Sequence, residues 1–345
     1  MGIPATDVAW IRASSRPTFW TRSMPRLTVV VPAYNESAVL TAFHERLSRV
    51  LDLLPLPTDV LYVDDGSRDD TWSIMQSLAA ADPRVGTLKL SRNFGKEAAL
   101  TAGLDHVDAD AAVVIDADLQ DPPELIPQLI EQWQAGYDVV YATRSARAGE
   151  TGFKRFTAAA FYRTMEIMSD VAVPRDTGDF RLLSRRALAA LSQLRERQRF
   201  MKGLFTWIGY RQTSVKYLRD PRLAGKTKWN YWRLTQLAIE GITSFSSAPL
   251  KLATWTGLVA SLLAFLLGLK VLVKALLHGD PVPGYPSLMV VVLFLGGIQL
   301  VALGVIGEYI GRNYAESKRR PLYFIEEEHL PAIHGAVHTD ATEQR

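Results

Sequence analysis

Five times between residues 27 and 142 a short apolar run rich in β-branched residues breaks off in a polar cluster. The runs are Leu-Thr-Val-Val-Val at 27–31, Val-Leu-Tyr-Val at 60–63, Val-Gly-Thr-Leu-Lys-Leu at 85–90, Val-Val-Ile at 113–115 and Val-Val-Tyr-Ala at 139–142. Runs of this length and composition are strands, and the residues between them carry helical spacing. Strands alternating with helices build an α/β fold, a mostly parallel sheet covered on both faces. Ligands of such sheets bind beyond the carboxyl ends of the strands. The polar clusters fall at those ends: 34–36, 64–67, 92–96, 116–120 and Arg144. A further cluster, Asp-Thr-Gly-Asp-Phe-Arg-Leu-Leu at 176–183, returns the chain to the same rim.

The densest cluster follows the fourth strand, where residues 116–124 read Asp-Ala-Asp-Leu-Gln-Asp-Pro-Pro-Glu. Alternate residues of an extended chain point the same way, so Asp116 and Asp118 can face one cation, with Gln120 offering a third oxygen. Hard oxygen ligands suit Mg²⁺ or Mn²⁺, which leave positions open for substrate phosphates. A cation there neutralises a diphosphate leaving group. Asp64 or Asp65 at a neighbouring strand end can accept hydrogen bonds from a ribose or a base edge, and Tyr34 with the backbone near Pro32 can cover the base.

Apolar residues concentrate in the last third of the 345-residue chain. Residues 252–277 and 288–308 are each long enough to cross a bilayer. The Gly- and Pro-containing connection between them makes a hairpin that returns both ends to one side. Basic residues follow the second span at Arg312, Lys318, Arg319 and Arg320, whereas the hairpin turn has no Lys or Arg, which predicts a cytoplasmic catalytic domain. Trp229, Tyr231 and Trp232 open a predicted amphipathic helix over 230–245, suited to the headgroup region. Residues 200–210, aromatic and apolar, read equally as core or as a lipid-dipping surface. The absence of cysteine excludes disulfides and thiolate metal sites, and a net charge of +3 gives no argument for nucleic acid as a partner. Residues 1–25 do not form a cleavable signal peptide and read as an arm.

No Gly-x-x-x-x-Gly-Lys-Ser/Thr loop and no Gly-x-Gly-x-x-Gly follows the first strand, so ATPase and dehydrogenase readings lack support. A diphosphate site without a phosphoryl-transfer loop points to group transfer from a nucleotide sugar. At this level of detail the chain resembles the polyprenyl-phosphate glycosyltransferases of the bactoprenol glucosyltransferase and dolichol-phosphate mannose synthase type. These belong to inverting glycosyltransferase family two and have a Rossmann-like GT-A fold. The resemblance rests on Val-Pro-Ala-Tyr-Asn-Glu at 31–36, Asp-Asp-Gly-Ser at 64–67, Ser-Arg-Asn-Phe-Gly-Lys at 91–96, the Asp-x-Asp cluster and Gly-Asp-Phe-Arg-Leu at 178–182. The paired spans and Arg-Arg-Pro-Leu-Tyr at 319–323 extend it over about residues 26–325.

The resemblance implies that Pro32, Tyr34, Glu36, Asp64, Asp65, Lys96 and Asp116 hold the nucleotide, and that Asp116, Asp118 and Gln120 bind the metal. It also implies Arg144 and Arg155 for the acceptor phosphate, and Asp179, Arg181 and Arg144 at the reacting centre. The implied reaction moves a sugar from a nucleotide sugar, with UDP-glucose expected, to undecaprenyl phosphate. GDP-mannose and UDP-4-formamido-arabinose are the alternative donors. A non-catalytic membrane scaffold is the alternative of a different class; it requires broken metal ligands, and all are present. Processive relatives carry Gln-x-x-Arg-Trp, which Gln198-Arg199-Phe200 does not match. The expected organisation is an arm (1–25), a catalytic domain (26–225), a juxtamembrane region (226–250), two transmembrane helices (251–312) and a polar cytoplasmic tail (313–345). The implied location is the bacterial inner membrane, in a multi-pass protein that can be tetrameric.

Overall fold

Strand β1 (Leu27–Ala33) is buried along its whole length, as a central strand covered on both faces must be. In the computed structural model, which describes residues 24–144, 177–197, 199–217, 248–278 and 284–331, it pairs in parallel with β2 (Thr58–Asp64) and with β4 (Ala111–Val114). Strand β3 (Val85–Leu90) continues the parallel set beyond β2. The crossovers are α1 (Leu40–Leu51), α2 (Thr71–Ala81) and α3 (Lys96–Asp105). Helix α1 buries Leu40, Phe43, Leu47, Val50 and Leu51, an apolar stripe at helical spacing. Thr71 begins α2, and of the two aspartates before it Asp69 does the holding, accepting from Thr71 N at 3.1 Å and Thr71 Oγ1 at 2.6 Å.

After β4 a short 3-10 turn at Pro123–Leu125 leads into α4 (Ile126–Gln134). Arg46 of α1 grips Glu124 through its Nε and Nη2, at 2.8 and 2.9 Å, and so fixes where this helix starts. Strand β5 (Val139–Arg144) and β7 (Gln212–Tyr217) form a parallel pair. Between β4 and β5 runs β6 (Thr177–Ser184), antiparallel to both, entering from the rim that the sequence predicts. Ser184 caps α5 (Arg185–Leu191), its Oγ accepting from Ala187 N at 3.3 Å.

The sheet order among the described residues is β7-β5-β6-β4-β1-β2-β3-β8, with β8 (Ile325–His329) at the outer edge. One face is packed by α1, α2 and α4 through Phe43, Leu47, Met75 and Leu129. The other is packed by α3, α5 and α6 (Met201–Trp207) through Leu100, Leu191, Leu204 and Phe205. In helix α6 the core reading of the 200–210 stretch holds for Met201, Leu204 and Phe205, while Trp207 stands 58% exposed.

Two long helices follow, α7 (Ala248–His278) and α8 (Tyr285–Ser317). They carry exposed Trp255, Leu262, Phe265, Leu300 and Leu303, apolar side chains that the other described residues leave uncovered. Within the described residues Phe294–Ser317 is long and apolar enough to cross a membrane by length and composition. The predicted amphipathic helix over 230–245 lies outside the described residues.

The chain then returns to the sheet. β8 (Ile325–His329) pairs antiparallel with β3 and closes that edge. This strand lies within the expected polar tail, because Ile-Glu-Glu-Glu-His carries no strand-like apolar pattern. What places it is pairing. Lys89 on β3 reaches Glu326 at 3.2 Å and Glu327 at 3.1 Å. The charges on this strand also suit an edge, where they discourage further pairing.

Candidate active site

The carboxyl ends of β1, β2 and β4 open onto a cleft of about 350 Å³. Pro32, Tyr34, Glu36, Asp65, Lys96, Asp116 and Asp118 line it, joined by Asn93, Gly95 and Ala117. Residues from four separate stretches of sequence are thus brought to one concavity by parallel strands that all end there.

Lys96, the first residue of α3, organises its charge. Its Nζ donates to Asp116 Oδ2 at 2.7 Å and to Asp179 Oδ2 at 2.5 Å. Burial works against the Lys96 charge, but the two carboxylates outweigh it and hold the ammonium above the ordinary lysine range. Burial and the proximity of Asp179 raise Asp116, with Lys96 pulling the other way. For Asp179 burial is overcome by Lys96, Lys202 and Arg181, and its carboxyl is held well below the usual range. The second oxygens, Asp116 Oδ1 and Asp179 Oδ1, are buried without a hydrogen-bond partner among the described residues. An orphaned Asp116 oxygen at the cleft is what a divalent cation or its bound water satisfies, so Asp116 together with Asp118, which lines the same cleft, fits Mg²⁺ or Mn²⁺. Among the described residues no group of three or more His, Cys, Asp and Glu is assembled as a protein-only cage. Two carboxylates with open positions are instead what a phosphate-bridging ion requires.

The Asp-x-Asp loop is held in a tight conformation. Leu119 takes φ 59°, rare for a branched residue, and Gln120 N donates to Asp118 Oδ1 at 3.1 Å. At the loop's far end the buried Tyr217 hydroxyl donates to Asp121. A second left-handed residue, Asn35 at φ 55°, turns the chain after β1 and accepts from Arg68 N at 2.8 Å.

Several expected site residues take other positions. Asp64 is fully buried and accepts from Ser67 N at 3.2 Å with each oxygen, so it faces away from the cleft. Its neighbour Asp65 lines the cleft and accepts from Phe94 N at 2.7 Å and Gly95 N at 3.0 Å, which pins the 91–96 loop. Gln120 is buried and does not line the cleft. The Arg181 guanidinium is also buried, 3.9 Å from the Phe205 ring centroid and donating to Gly178 O at 2.9 Å, so it acts on Asp179 from behind. Burial pulls it down to about 10, which leaves it charged at neutral pH. Arg144 ends β5 on the same rim, and Arg155 lies outside the described residues.

Two charged residues absent from the sequence reading join this cluster. Glu97, next to Lys96, is pushed up to about 7 by burial and by Asp179. Lys202 of α6 acts on both acids. Lys202 had a signal, as the one charged residue in the apolar stretch 200–210. Glu97 had none, because a glutamate in the first turn of a helix is ordinary.

A rim cleft with paired carboxylates on a largely parallel sheet, followed by two long apolar helices, defines a sugar-transferase catalytic fold joined to a helical hairpin. Comparison with known proteins agrees. The profile described as Glycosyl transferase family 2 matches residues 28–192, and that described as GtrB C-terminal hairpin matches residues 248–312. An uncharacterized glycosyltransferase of Synechocystis sp. is 50% identical over 309 residues, covering 88% of this chain and 97% of its own. The bactoprenol glucosyl transferase of Shigella phage SfV is 47% identical over 303 residues, covering 88% of this chain and 99% of its own. Among solved structures, the mannosyltransferase PcManGT from Pyrobaculum calidifontis in complex with GDP-Man and Mn²⁺ is 18% identical. That alignment has a TM-score of 0.45 and covers 81% of this chain and 88% of the other. The chain belongs to glycosyl transferase family 2, and it carries that family's catalytic domain together with the GtrB-type hairpin.

Proposed function

We propose that this protein transfers glucose from UDP-glucose, with inversion, to the phosphate of a membrane polyprenyl phosphate such as undecaprenyl phosphate. The observation that carries the reading is the Lys96 bridge between Asp116 and Asp179, at the base of a cleft built at the strand ends. It sets a positive group between an acidic pair suited to a metal–diphosphate and an acid suited to the sugar side. Two relatives named bactoprenol glucosyl transferase, aligned along almost their whole length, support the sugar and the lipid acceptor. Asp116 and Asp118 would hold Mg²⁺ or Mn²⁺, which when bound supplies charge neutralisation for the leaving diphosphate.

The remaining work falls to the chain's own side chains. Tyr34, 40% exposed at the cleft mouth, offers a ring to the base, and Asp65 keeps the 91–96 loop beneath it. Lys96 is placed to turn from its carboxylates to the diphosphate as negative charge builds there. Asp179 stays ionised and orients the reacting sugar. A phosphate nucleophile is already ionised near neutral pH, so no strong general base is needed, and Arg144 with Arg155 positions it.

The hairpin suits a multi-pass protein of a bacterial inner membrane with its catalytic domain on the cytoplasmic side, where a tetramer is the expected assembly. The test is transfer of labelled sugar by the purified protein to undecaprenyl phosphate, from a panel of UDP-glucose, GDP-mannose and UDP-4-formamido-arabinose. Labelled lipid from UDP-glucose, abolished by chelator and restored by Mn²⁺ or Mg²⁺, is the expected result. Labelled lipid from another donor overturns the choice of sugar, and donor hydrolysis with no lipid product overturns the acceptor.

A further inference from the structure

The segment that leaves α8 touches the 91–96 loop, which borders the cleft, as well as the sheet edge. Ser91 N donates to Phe324 O at 2.9 Å, and the Phe324 ring lies 6.3 Å from that of Phe94 at a tilt of 54°. The Arg92 guanidinium sits 4.2 Å from the Phe94 ring centroid. The Phe94 and Gly95 amides are the ones bound by Asp65, and Asn93, Gly95 and Lys96 line the cleft. The 91–96 loop is therefore gripped from two sides, by Asp65 from within the sheet and by Phe324 from its edge.

The grip is itself anchored. The Tyr323 hydroxyl donates to Asp105 Oδ2 at 2.8 Å, and Lys89 pairs with Glu326 and Glu327. At the other end of β8 the Pro331 ring occupies the space over Gly86. A Cβ on Gly86 would stand 2.5 Å from Pro331 Cδ, and Gly86 has no left-handed φ to explain it otherwise. A missing side chain on β3 thus matches a proline from the far end of the chain. Neither family profile, at 28–192 and 248–312, includes this segment.

We propose that residues 323–331 form a positioning element of the donor cleft, in which Phe324 sets the 91–96 loop, and with it Lys96, for a nucleoside diphosphate. This rests on the reading of the cleft as a nucleotide-sugar site. Phe324 touches no reacting atom; it acts through Phe94. Because Phe324 is 56% exposed and outside the buried core, removing its ring leaves the packed core intact.

The experiment uses the full chain in detergent micelles, with UDP and Mn²⁺ as the probe. In Phe324→Ala, the UDP Kd and the donor KM should both rise about threefold to tenfold, the worth of one aromatic pair. The kcat and the acceptor KM should hold. Phe324→Tyr, which keeps the ring, should restore UDP binding, and Glu131→Gln, on the exposed side of α4, should leave it unchanged. A Kd in Phe324→Ala within about twofold of wild type overturns the proposal. So does a parallel change in kcat and both KM values with a lowered Tm, which is the mark of general destabilisation. If wild type itself binds no UDP, the nucleotide reading of the cleft is what fails, and the wild-type titration reveals that before any variant is compared.

Discussion

Lys96 holds two acids that would otherwise repel each other across the cleft. Its side chain is 45% exposed, so solvent screens the pair and its worth to stability is small, about 1 kcal/mol or less. Its functional weight is larger. In Lys96→Met the cleft becomes more anionic, so Mn²⁺ alone should bind more tightly and UDP without metal more weakly, both readable by calorimetry. Equal changes in the two affinities would contradict the bridging role. Glu97 gives a pH signature. Folded, it gains its proton near pH 7, against 4.5 when exposed, with burial the leading cause. The folded state therefore holds an extra proton between those values, and the stability this confers is complete below pH 4.5 and lost as pH rises through 7. Glu97→Gln should accordingly gain Tm over wild type as pH climbs across that window and run level with it below. A gap that is independent of pH would remove Glu97 from the cluster. Lys96 and the acids 116 and 179 were legible in the sequence because each sits in a polar cluster at a strand end. Glu97 was not, because what raises it is its tertiary surroundings, burial first and then the charge of Asp179.

Elements repeat this division between local and distant causes. The strands β1 to β5 announce themselves because a buried parallel strand must be apolar on both faces, and the cleft follows from where they stop. The acidic pair at 64–65 shows the limit: Asp64 ends β2 and Asp65 follows it, but successive side chains meet different surroundings, so Asp64 is sealed and Asp65 reaches the cleft. Strand β8 was illegible for a related reason. Its three glutamates have no pattern of their own, and only Lys89 and the open edge of β3 give them a place. Gly66 is the element-scale counterpart. It has φ +66°, and a Cβ there would stand 2.5 Å from Arg92 C and 2.7 Å from Asn93 N, so the turn after β2 and the 91–96 loop nest through its missing side chain. Gly66→Ala should cost about 1–3 kcal/mol by equilibrium denaturation and weaken UDP binding as the loop is pushed out. Stability and affinity both at wild-type levels would show that the loop yields without cost.

At the scale of the whole molecule, the described residues join the transferase sheet to the hairpin at more than one place. Arg197 N donates to Glu316 Oε1 at 2.6 Å, so the end of α8 sits against the chain leading into α6. The hairpin is thus docked to the catalytic domain beyond its covalent link. A chain ending at Ser317 would keep both long helices yet leave the outer edge of β3 unpaired, a ready surface for association with other chains. Such a chain should still partition into vesicles but unfold at lower temperature and aggregate on warming, as followed by differential scanning fluorimetry with light scattering. Unchanged melting would mean that β8 adds nothing to the sheet.

The position of β8 in the chain also bears on how the protein is made. The ribosome emits the sheet's other seven described strands first, then both long helices, and only afterwards the strip that completes the edge. A nascent chain therefore has both long apolar helices outside the exit tunnel before its sheet is finished. Translation order thus places the hairpin ahead of the strand that the sheet needs last, and a product released early lacks that strand.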